Sequence, residues 1–514
     1  VVSDWVLPDE VLADAPAYTP RPHELADLEL LLSGAYVPLS RFMNRAEVAS
    51  VDATGTLPDG TAWPSPITLE VPEAIAAKLD TESPRGRVLV LTDPEGAPVA
   101  AVEAVELSPV SDRGVRVAGE VRRIGEVLHG PFRRLRATPA QTRQTLTTSR
   151  VLGVVADRPL HRPQLAEIHR AAHTLNSHVL ILVPVAGLGP DGLPPAALVR
   201  SILAARDRLP QATIVAVPLS YRGDELRDGL LTARVAAAYG ATHLLSMGRG
   251  FAGGSGIRIM LPRQLCYDVR DGQWRAADEV EPPFRRQPMT SAEIYDMLDR
   301  GFGLPDWHTP PAVAAELRKA RPPRRKRGVV VFLTGLSGSG KSTIARGLYD
   351  SLLESGERTV SLFDGDVVRR LLSAKLGFSP EDRALNIRRI GFVAAEVAHH
   401  HGVAICCPIA PYAKGRAAAR RMAAEAGGDF ILVHVATPLE VCEERDRKGL
   451  YAKARAGQIE TFTGISAPYE APADAELTID ASQMSVDDAV GVVLDYLTEG
   501  GWLETTGLGL TGAR

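Results

Sequence analysis

Cysteine is nearly absent from this chain, and what its few thiols exclude bounds the rest of the reading. Cys266, Cys406, Cys407 and Cys442 are the four cysteines in 514 residues. One pair is adjacent and the others are distant, which is neither a disulfide framework nor the spacing of a zinc site. A reducing cytoplasm is the compartment expected of such a chain. An excess of charge is missing as well: the formal net charge of −4 gives no global electrostatic reason to expect nucleic acid or a membrane as partner. Long apolar runs are also missing. The longest, near 179–185, is far short of the ~20 residues that a membrane helix needs. The opening Val1-Val2-Ser3-Asp4-Trp5 starts neither a basic nor an apolar leader, so no signal peptide is expected. Aromatic residues make up only 5%, yet a hydrophobic content of 45% supplies more than one core. The length suits about three domains.

One boundary stands out. Residues 318–327, RKARPPRRKR, are basic and proline-bearing, and read as a solvated linker rather than a nucleic-acid patch, because charge runs usually reflect solvation. Residues 328–500 then form one domain, with 501–514 as a frayed tail. Ahead of the linker, over 1–145, short β-rich runs at 87–91 and 115–117 alternate with Pro, Gly and Asp turns, the pattern of a mostly β lobe. Over 146–317 apolar strands alternate with helical stretches. A strand at 151–156 precedes a helix at 164–175, one at 179–185 precedes 196–205, and one at 213–217 precedes 227–238. That alternation predicts a parallel sheet with helices on its faces, and an α/β fold class.

Residues 335–343 read GLSGSGKST, directly after the apolar run Val329-Val330-Val331-Phe332-Leu333. A glycine-rich loop between strand and helix is a phosphate cradle, or P-loop. Gly335, Leu336, Ser337, Gly338, Ser339 and Gly340 turn backbone N–H groups inward, Lys341 reaches the β/γ-phosphates, and Ser342, with Thr343 beside it, offers a hydroxyl to Mg²⁺. The helix starting near Lys341 adds the positive end of its dipole. A P-loop NTPase fold with a parallel sheet, binding a nucleoside triphosphate, is expected here.

Downstream, Ser361-Leu362-Phe363-Asp364-Gly365-Asp366 reads as a short strand ending in two carboxylates. Strand C-termini open onto the ligand crevice of a doubly wound sheet. Such carboxylates either hold Mg²⁺ through water or accept the proton of an acceptor hydroxyl. Arg369, Arg383, Arg388 and Arg389 crowd the same region. Guanidinium groups grip anions bidentately, so an acceptor carrying phosphate or sulfate is expected. Phe378 either stacks on a ring or packs in the core. The charged stretch 446–455 is either a mobile lid over phosphates or a solvated helix face. His399-His400-His401, before Gly402, marks a helix end rather than a metal site. Cys406-Cys407 continues an apolar strand.

In this order, GLSGSGKST, DGD..R, GFS.EDR..NIRRIG, PY...R, RD.KGLY.KAR and FTGI..PYE closely resemble the motifs of the adenylyl-sulfate kinase (APS kinase) family. The resemblance implies transfer of the ATP γ-phosphoryl group to the 3′-hydroxyl of adenylyl sulfate, with Lys341 and Asp366 as catalytic residues, Mg²⁺ as cofactor, and ATP and adenylyl sulfate as partners. It further implies that Asp366, Arg369, Phe378, Arg383, Asn386, Ile409, Lys448 and Phe462 hold the adenylyl sulfate. Phe378 and Phe462 would sandwich its adenine, and Asp366 would sit near the attacking hydroxyl. One position departs. Many members carry serine before the Pro-Tyr pair, where this chain has Ala410. An in-line transfer needs no relay through that serine, so activity is expected despite Ala410.

The N-terminal region carries a second, damaged resemblance. Leu32-Ser33-Gly34-Ala35-Tyr36-Val37-Pro38-Leu39, Phe42-Met43-Asn44 and Trp63-Pro64-Ser65-Pro66-Ile67-Thr68-Leu69 resemble the entry lobe of ATP sulfurylase (sulfate adenylyltransferase), and 291–317 is similar to the close of its catalytic region. This implies a PUA-like β lobe followed by a nucleotidyltransferase, Rossmann-like α/β lobe. The family's Q-T-R-N-P-x-H-x-x-H falls on ADRPLHRPQ at 156–164. Arg158 and His161 match its arginine and first histidine, the asparagine is absent, and Gln164 replaces the second histidine. G-R-D-H-A-G becomes GRGFAG at 248–253. Losing one preorganised donor typically lowers the rate by ~10²–10³. The lobe is therefore expected to be inactive or regulatory, with Arg158, His161 and Arg249 still able to bind a nucleotide or anion. A bifunctional enzyme that makes 3′-phosphoadenylyl sulfate from sulfate, and a non-catalytic nucleotide sensor, remain alternatives. Both families commonly form dimers or larger assemblies, so a homo-oligomer is expected.

Overall fold

The computed structural model describes residues 14–83, 86–111, 114–127, 130–247, 256–459 and 461–504. The GRGFAG segment with Arg249, and most of the expected tail, lie outside the described residues. Contacts divide the chain into two units, Val1–Met289 with Pro305–Glu316, and Thr290–Leu304 with Leu317–Arg514. The chain is mixed α/β with parallel sheets, as its patterning predicts.

In the first unit the β-rich region forms a mixed sheet. The long antiparallel hairpin Pro98–Ser111 and Gly114–Arg123 carries Val88–Thr92 on one side and Arg41–Phe42 on the other. A five-stranded parallel sheet follows, ordered Arg258–Met260, His243–Leu245, Val151–Val155, His178–Pro184, Ala212–Val217. Every residue of His178–Pro184 is buried, as expected of a parallel strand covered on both faces. Its crossover helices, Arg162–Leu175, Pro195–Ala204 and Glu225–Ala238, fall within a few residues of the expected positions. The two lobes share one hydrophobic core, in which Leu28, Phe42 and Trp63 join Val151, Leu180, Val215 and Leu231.

The second unit is built on a parallel sheet ordered Val360–Asp364, Val403–Cys407, Val329–Thr334, Asp429–Val435, Leu477–Ile479. Alternation along the central strand decides its packing. Val329, Val331 and Leu333 join Ile344, Leu348 and Val493 in one core, while Val330 and Phe332 join Ile390, Ala394 and Ala419 in another. This is the period-two signature of a strand between two helical layers. The sheet therefore aims the C-terminal end of Val329–Thr334 directly into the glycine loop.

The basic run departs from the expectation of a solvated linker. Asp299, on the helix Ser291–Arg300, accepts from Arg321 at 2.6 and 2.8 Å, pairs with Arg324 at 3.3 Å, and also bonds Arg327. Arg327 is only 3% exposed and meets Asp429 at 3.1 Å. The physical reason is charge satisfaction: one buried carboxylate gathers guanidiniums that a solvated run would leave in water. Residues 290–304, read from sequence as the end of the preceding region, accordingly pack with the second unit. Burial pushes the Asp299 carboxyl up, but bonds from Arg321 and Arg327 hold it below its usual value. Its contribution is therefore present above the ordinary carboxylate pKa of about 4 and is lost as pH falls through the lower folded value. Asp299→Ala is expected to destabilise the second unit by about 1.5–3 kcal/mol, because it removes charged hydrogen bonds from Arg321 and Arg327 while Asp429 still pairs with Arg327. Urea unfolding followed by tryptophan fluorescence, with Trp502 in this unit, measures the fall.

Candidate phosphoryl-transfer site

The loop 335–340 closes because glycine stands where no side chain fits. A Cβ on Gly335 would lie 2.4 Å from the Val435 carbonyl oxygen, and one on Gly338 (φ +76°) 3.0 Å from that of Cys442. Left-handed Gly340 then opens the helix Lys341–Ser355. Inside the turn, Lys341 is buried and donates to the Leu336 carbonyl at 2.6 Å and to Ser339 Oγ at 3.3 Å. Burial pulls its pKa down to about 8. Thr437 Oγ1 donates to the Ser339 carbonyl at 2.8 Å, fixing the loop from the next strand's end.

Asp364 and Asp366 do not share a strand end. Asp364 ends the strand and caps the helix Gly365–Leu371, accepting from the Asp366 N–H at 3.0 Å, while Asp366 lies in the first helical turn. Burial raises the Asp364 carboxyl, but hydrogen bonds from Ser342, the Asp366 backbone and the Cys407 thiol bring it below its usual value. Asp366 pairs with Lys448, from the stretch 446–455. Ser342 and Asp364 thus form a compact set of hard oxygen donors. Among the described residues no group of three or more His, Cys, Asp or Glu side chains converges on a metal position.

Two clefts meet here, with volumes of about 520 and 660 Å³. Both are lined by Ser337, Gly338, Lys341, Ser342, Asp366 and Lys448. Gly340 and Thr343 line the larger, whereas Leu336 packs beneath the loop and Ser339 is fully buried. The smaller brings together Asp366, Arg369, Phe378, Arg383, Asn386, Ile409, Lys448 and Phe462. Phe378 is 57% exposed and Phe462 8%, so Phe378 is a surface plate rather than core. The Arg369 guanidinium lies 4.3 Å from the Phe378 ring centroid. Arg383 donates to the Phe378 carbonyl at 2.8 Å, to the Thr461 carbonyl at 2.7 Å, and to Thr463. The Asn386 side-chain oxygen is buried without a hydrogen-bond partner. Arg389 donates to the Leu372 carbonyl at 2.6 Å, a packing role apart from the cleft.

In the first unit, Arg158 stands 3.6 Å from Asp191. His161 precedes the helix Arg162–Leu175 with its ring buried. Its Nδ1 lies 2.9 Å from Thr309 Oγ1, which is also 3.1 Å from His308 Nδ1. Burial, with His308 beside it, pushes its pKa down to about 3. Gln164 keeps a buried side-chain oxygen without a hydrogen-bond partner.

Comparison with known proteins agrees with this division. The Adenylylsulphate kinase family matches residues 327–480, the ATP-sulfurylase family 133–273, and a PUA-like domain 10–114. The sulfate adenylyltransferase of Mycosarcoma maydis is 35% identical over 520 residues, 90% of each chain, and that of Aspergillus fumigatus 35% over 540 residues, 94% of each. The chain belongs to the fused ATP-sulfurylase–APS kinase family. A hexameric APS kinase from Thiobacillus denitrificans shares its fold across 98% of both chains, with a TM-score of 0.67 and 33% identity. No helix among the described residues is long and apolar enough to cross a membrane.

Within the APS kinase domain, Ala410 is buried with φ +46°. Arg416 donates to its carbonyl at 2.8 Å, and Thr334 Oγ1 to that of Ile409 at 2.6 Å. Sequence reasoning gave Thr334 and Tyr451 no part, although Tyr451 stands inside a quoted motif. Neither carries a charge or a spacing that distinguishes it from a packing residue. A phosphate near Lys341 raises its depressed pKa again, so ATP binding at about pH 9 is expected to take up protons. Calorimetry in buffers of different ionisation heat checks this, and Lys341→Met should abolish the uptake.

Proposed function

We propose that the chain transfers the ATP γ-phosphoryl group to the 3′-hydroxyl of adenylyl sulfate, releasing ADP and 3′-phosphoadenylyl sulfate. The observation that carries the reading is the pair of clefts joined at Lys341, Ser342, Asp366 and Lys448. The larger cleft takes ATP on the P-loop, and the smaller takes the acceptor, its adenine between Phe378 and Phe462 and its anionic groups toward Arg369 and Arg383. Asn386 and Ile409 complete that wall. Asp366 accepts the proton of the 3′-hydroxyl as its oxygen attacks in line, and Lys341 follows the charge from the γ-phosphoryl to the departing ADP oxygens. Ser342 and Asp364 would hold Mg²⁺, whose role when bound is to neutralise phosphate charge; hydroxyl and carboxylate oxygens are the hard donors it prefers. The hexameric relative supports a homo-oligomer. The four buried thiols fit a reducing compartment.

The sulfurylase-like lobe is assigned no adenylyl transfer in this reading. A neutral, buried His161 bonded to Thr309 and a glutamine at 164 are poor substitutes for paired donors around an α-phosphate. A bifunctional enzyme is the second reading, favoured by the name sulfate adenylyltransferase on full-length relatives.

Two assays test these readings. ATP with adenylyl sulfate should yield 3′-phosphoadenylyl sulfate, and Asp366→Asn should lower kcat by about 10²–10⁴. No product from wild-type protein would falsify the kinase reading. Ala410→Ser should change kcat by less than about threefold, since the transfer uses no serine relay. ATP with sulfate should release no pyrophosphate; steady release would establish the bifunctional reading.

A further inference from the structure

One side chain of the helix Leu450–Arg455 reaches the elements that build both clefts. Tyr451 is 3% exposed. Its hydroxyl donates to the Ser337 carbonyl of the P-loop at 2.8 Å, and its ring meets Phe462 edge-on, with centroids 4.9 Å apart at 77°. Ser337 lines both clefts, Phe462 the smaller and Tyr451 the larger. The hydroxyl's hold on Ser337 has a consequence for the next residue. In a trans peptide the C=O and the following N–H point in opposite directions. Holding the Ser337 carbonyl on Tyr451 therefore fixes the Gly338 N–H pointing away from it. Gly338 has no side chain of its own to hold that peptide plane, and none would fit beside Cys442.

Tyr451 is itself well anchored. Its N–H donates to Asp446 Oδ1 at 3.1 Å and the Ala452 N–H to Asp446 Oδ2 at 3.0 Å. It packs in a small core with Cys442, Phe462, Leu336 and Leu439. The stretch read from sequence as a lid or a solvated face thus has a buried inner side bonded to the phosphate loop.

We infer that Tyr451 is a positioning residue that holds the phosphate-loop peptide and the acceptor's aromatic plate in one register. The inference rests on the phosphoryl-transfer reading and deepens it. Tyr451 acts through Ser337 and Gly338 on the donor side and through Phe462 on the acceptor side. Different parts of the side chain perform the two roles, so substitution separates them. Tyr451→Phe removes only the hydroxyl, and is expected to weaken ATP binding about three- to tenfold. The ring stays, so adenylyl sulfate binding should stay within about twofold of wild type. Tyr451→Leu removes the ring as well, and should weaken adenylyl sulfate about three- to tenfold in addition.

The test is the dissociation constant of a non-hydrolysable ATP analogue, and separately of adenylyl sulfate, for full-length wild type and both variants. Weakening of the analogue alone by Tyr451→Phe supports the inference. Equal weakening of both ligands, or of neither, overturns it, and this holds even where Tyr451→Leu fails to fold. Failure of wild-type protein to bind adenylyl sulfate while it binds the analogue overturns instead the substrate reading beneath it.

Discussion

A buried ammonium at the end of a central parallel strand is the constraint on which the rest of the kinase domain depends. Lys341 sits inside the P-loop, bonded to the Leu336 carbonyl and to Ser339 Oγ. Neutral oxygens compensate a desolvated cation only in part, and the depression of its pKa to about 8 records the shortfall. A polyanion makes up the difference, so the desolvation of the ammonium favours affinity for phosphate. The surrounding features follow from keeping that ammonium buried yet reachable. Gly335 and Gly338 let the loop pass tightly against Val435 and Cys442. Thr437 and Tyr451 hold the Ser339 and Ser337 carbonyls from outside the loop.

The smaller cleft handles its charges differently. Each cation there has a neutral or anionic neighbour from the protein: Lys448 has Asp366, Arg369 has the Phe378 ring and the Gly377 carbonyl, and Arg383 has carbonyls at 378 and 461. These are not equivalent engagements. Arg383 is 8% exposed and ties the helix Pro380–His399 to the loop 461–463, so removing it costs cleft shape as well as charge. Lys448 and Asp366 form an exposed pair, which solvent screens and a phosphate can displace. Arginine density in a sequence points to an anion. Which guanidinium touches the anion and which builds the wall depends on burial.

That distinction marks where the chain was legible and where it was not. The strand Val329–Thr334, the glycine loop and the helix behind it are local, and apolar alternation followed by GLSGSGKST predicts them together. The convergence of 366, 369, 378, 383, 386, 409, 448 and 462 on one cleft is non-local, and only the family resemblance anticipated it. Within the basic run 318–327, a solvated arginine and one gripped by Asp299 look alike in sequence, because the partner of Arg321 and Arg327 stands on a helix many residues earlier. Asp366 reads as a strand end because Asp364 is an N-cap, and a capping aspartate looks like a turn residue until the following helix is seen.

In the first unit the fold is kept while the motif differs. Its parallel sheet is intact in the described residues, with His178–Pro184 wholly buried and a core continuous with the β lobe. Among the described residues, the departure at Gln164 falls in the first turn of the helix Arg162–Leu175, which follows the strand Val151–Val155. Gln164, where the family motif has a histidine, keeps one buried side-chain oxygen without a hydrogen-bond partner, a small penalty beside what the sheet contributes. His161 went the other way, into a packed site with His308 and Thr309, where burial keeps it neutral. A neutral imidazole bonded within the protein stabilises that corner of the fold.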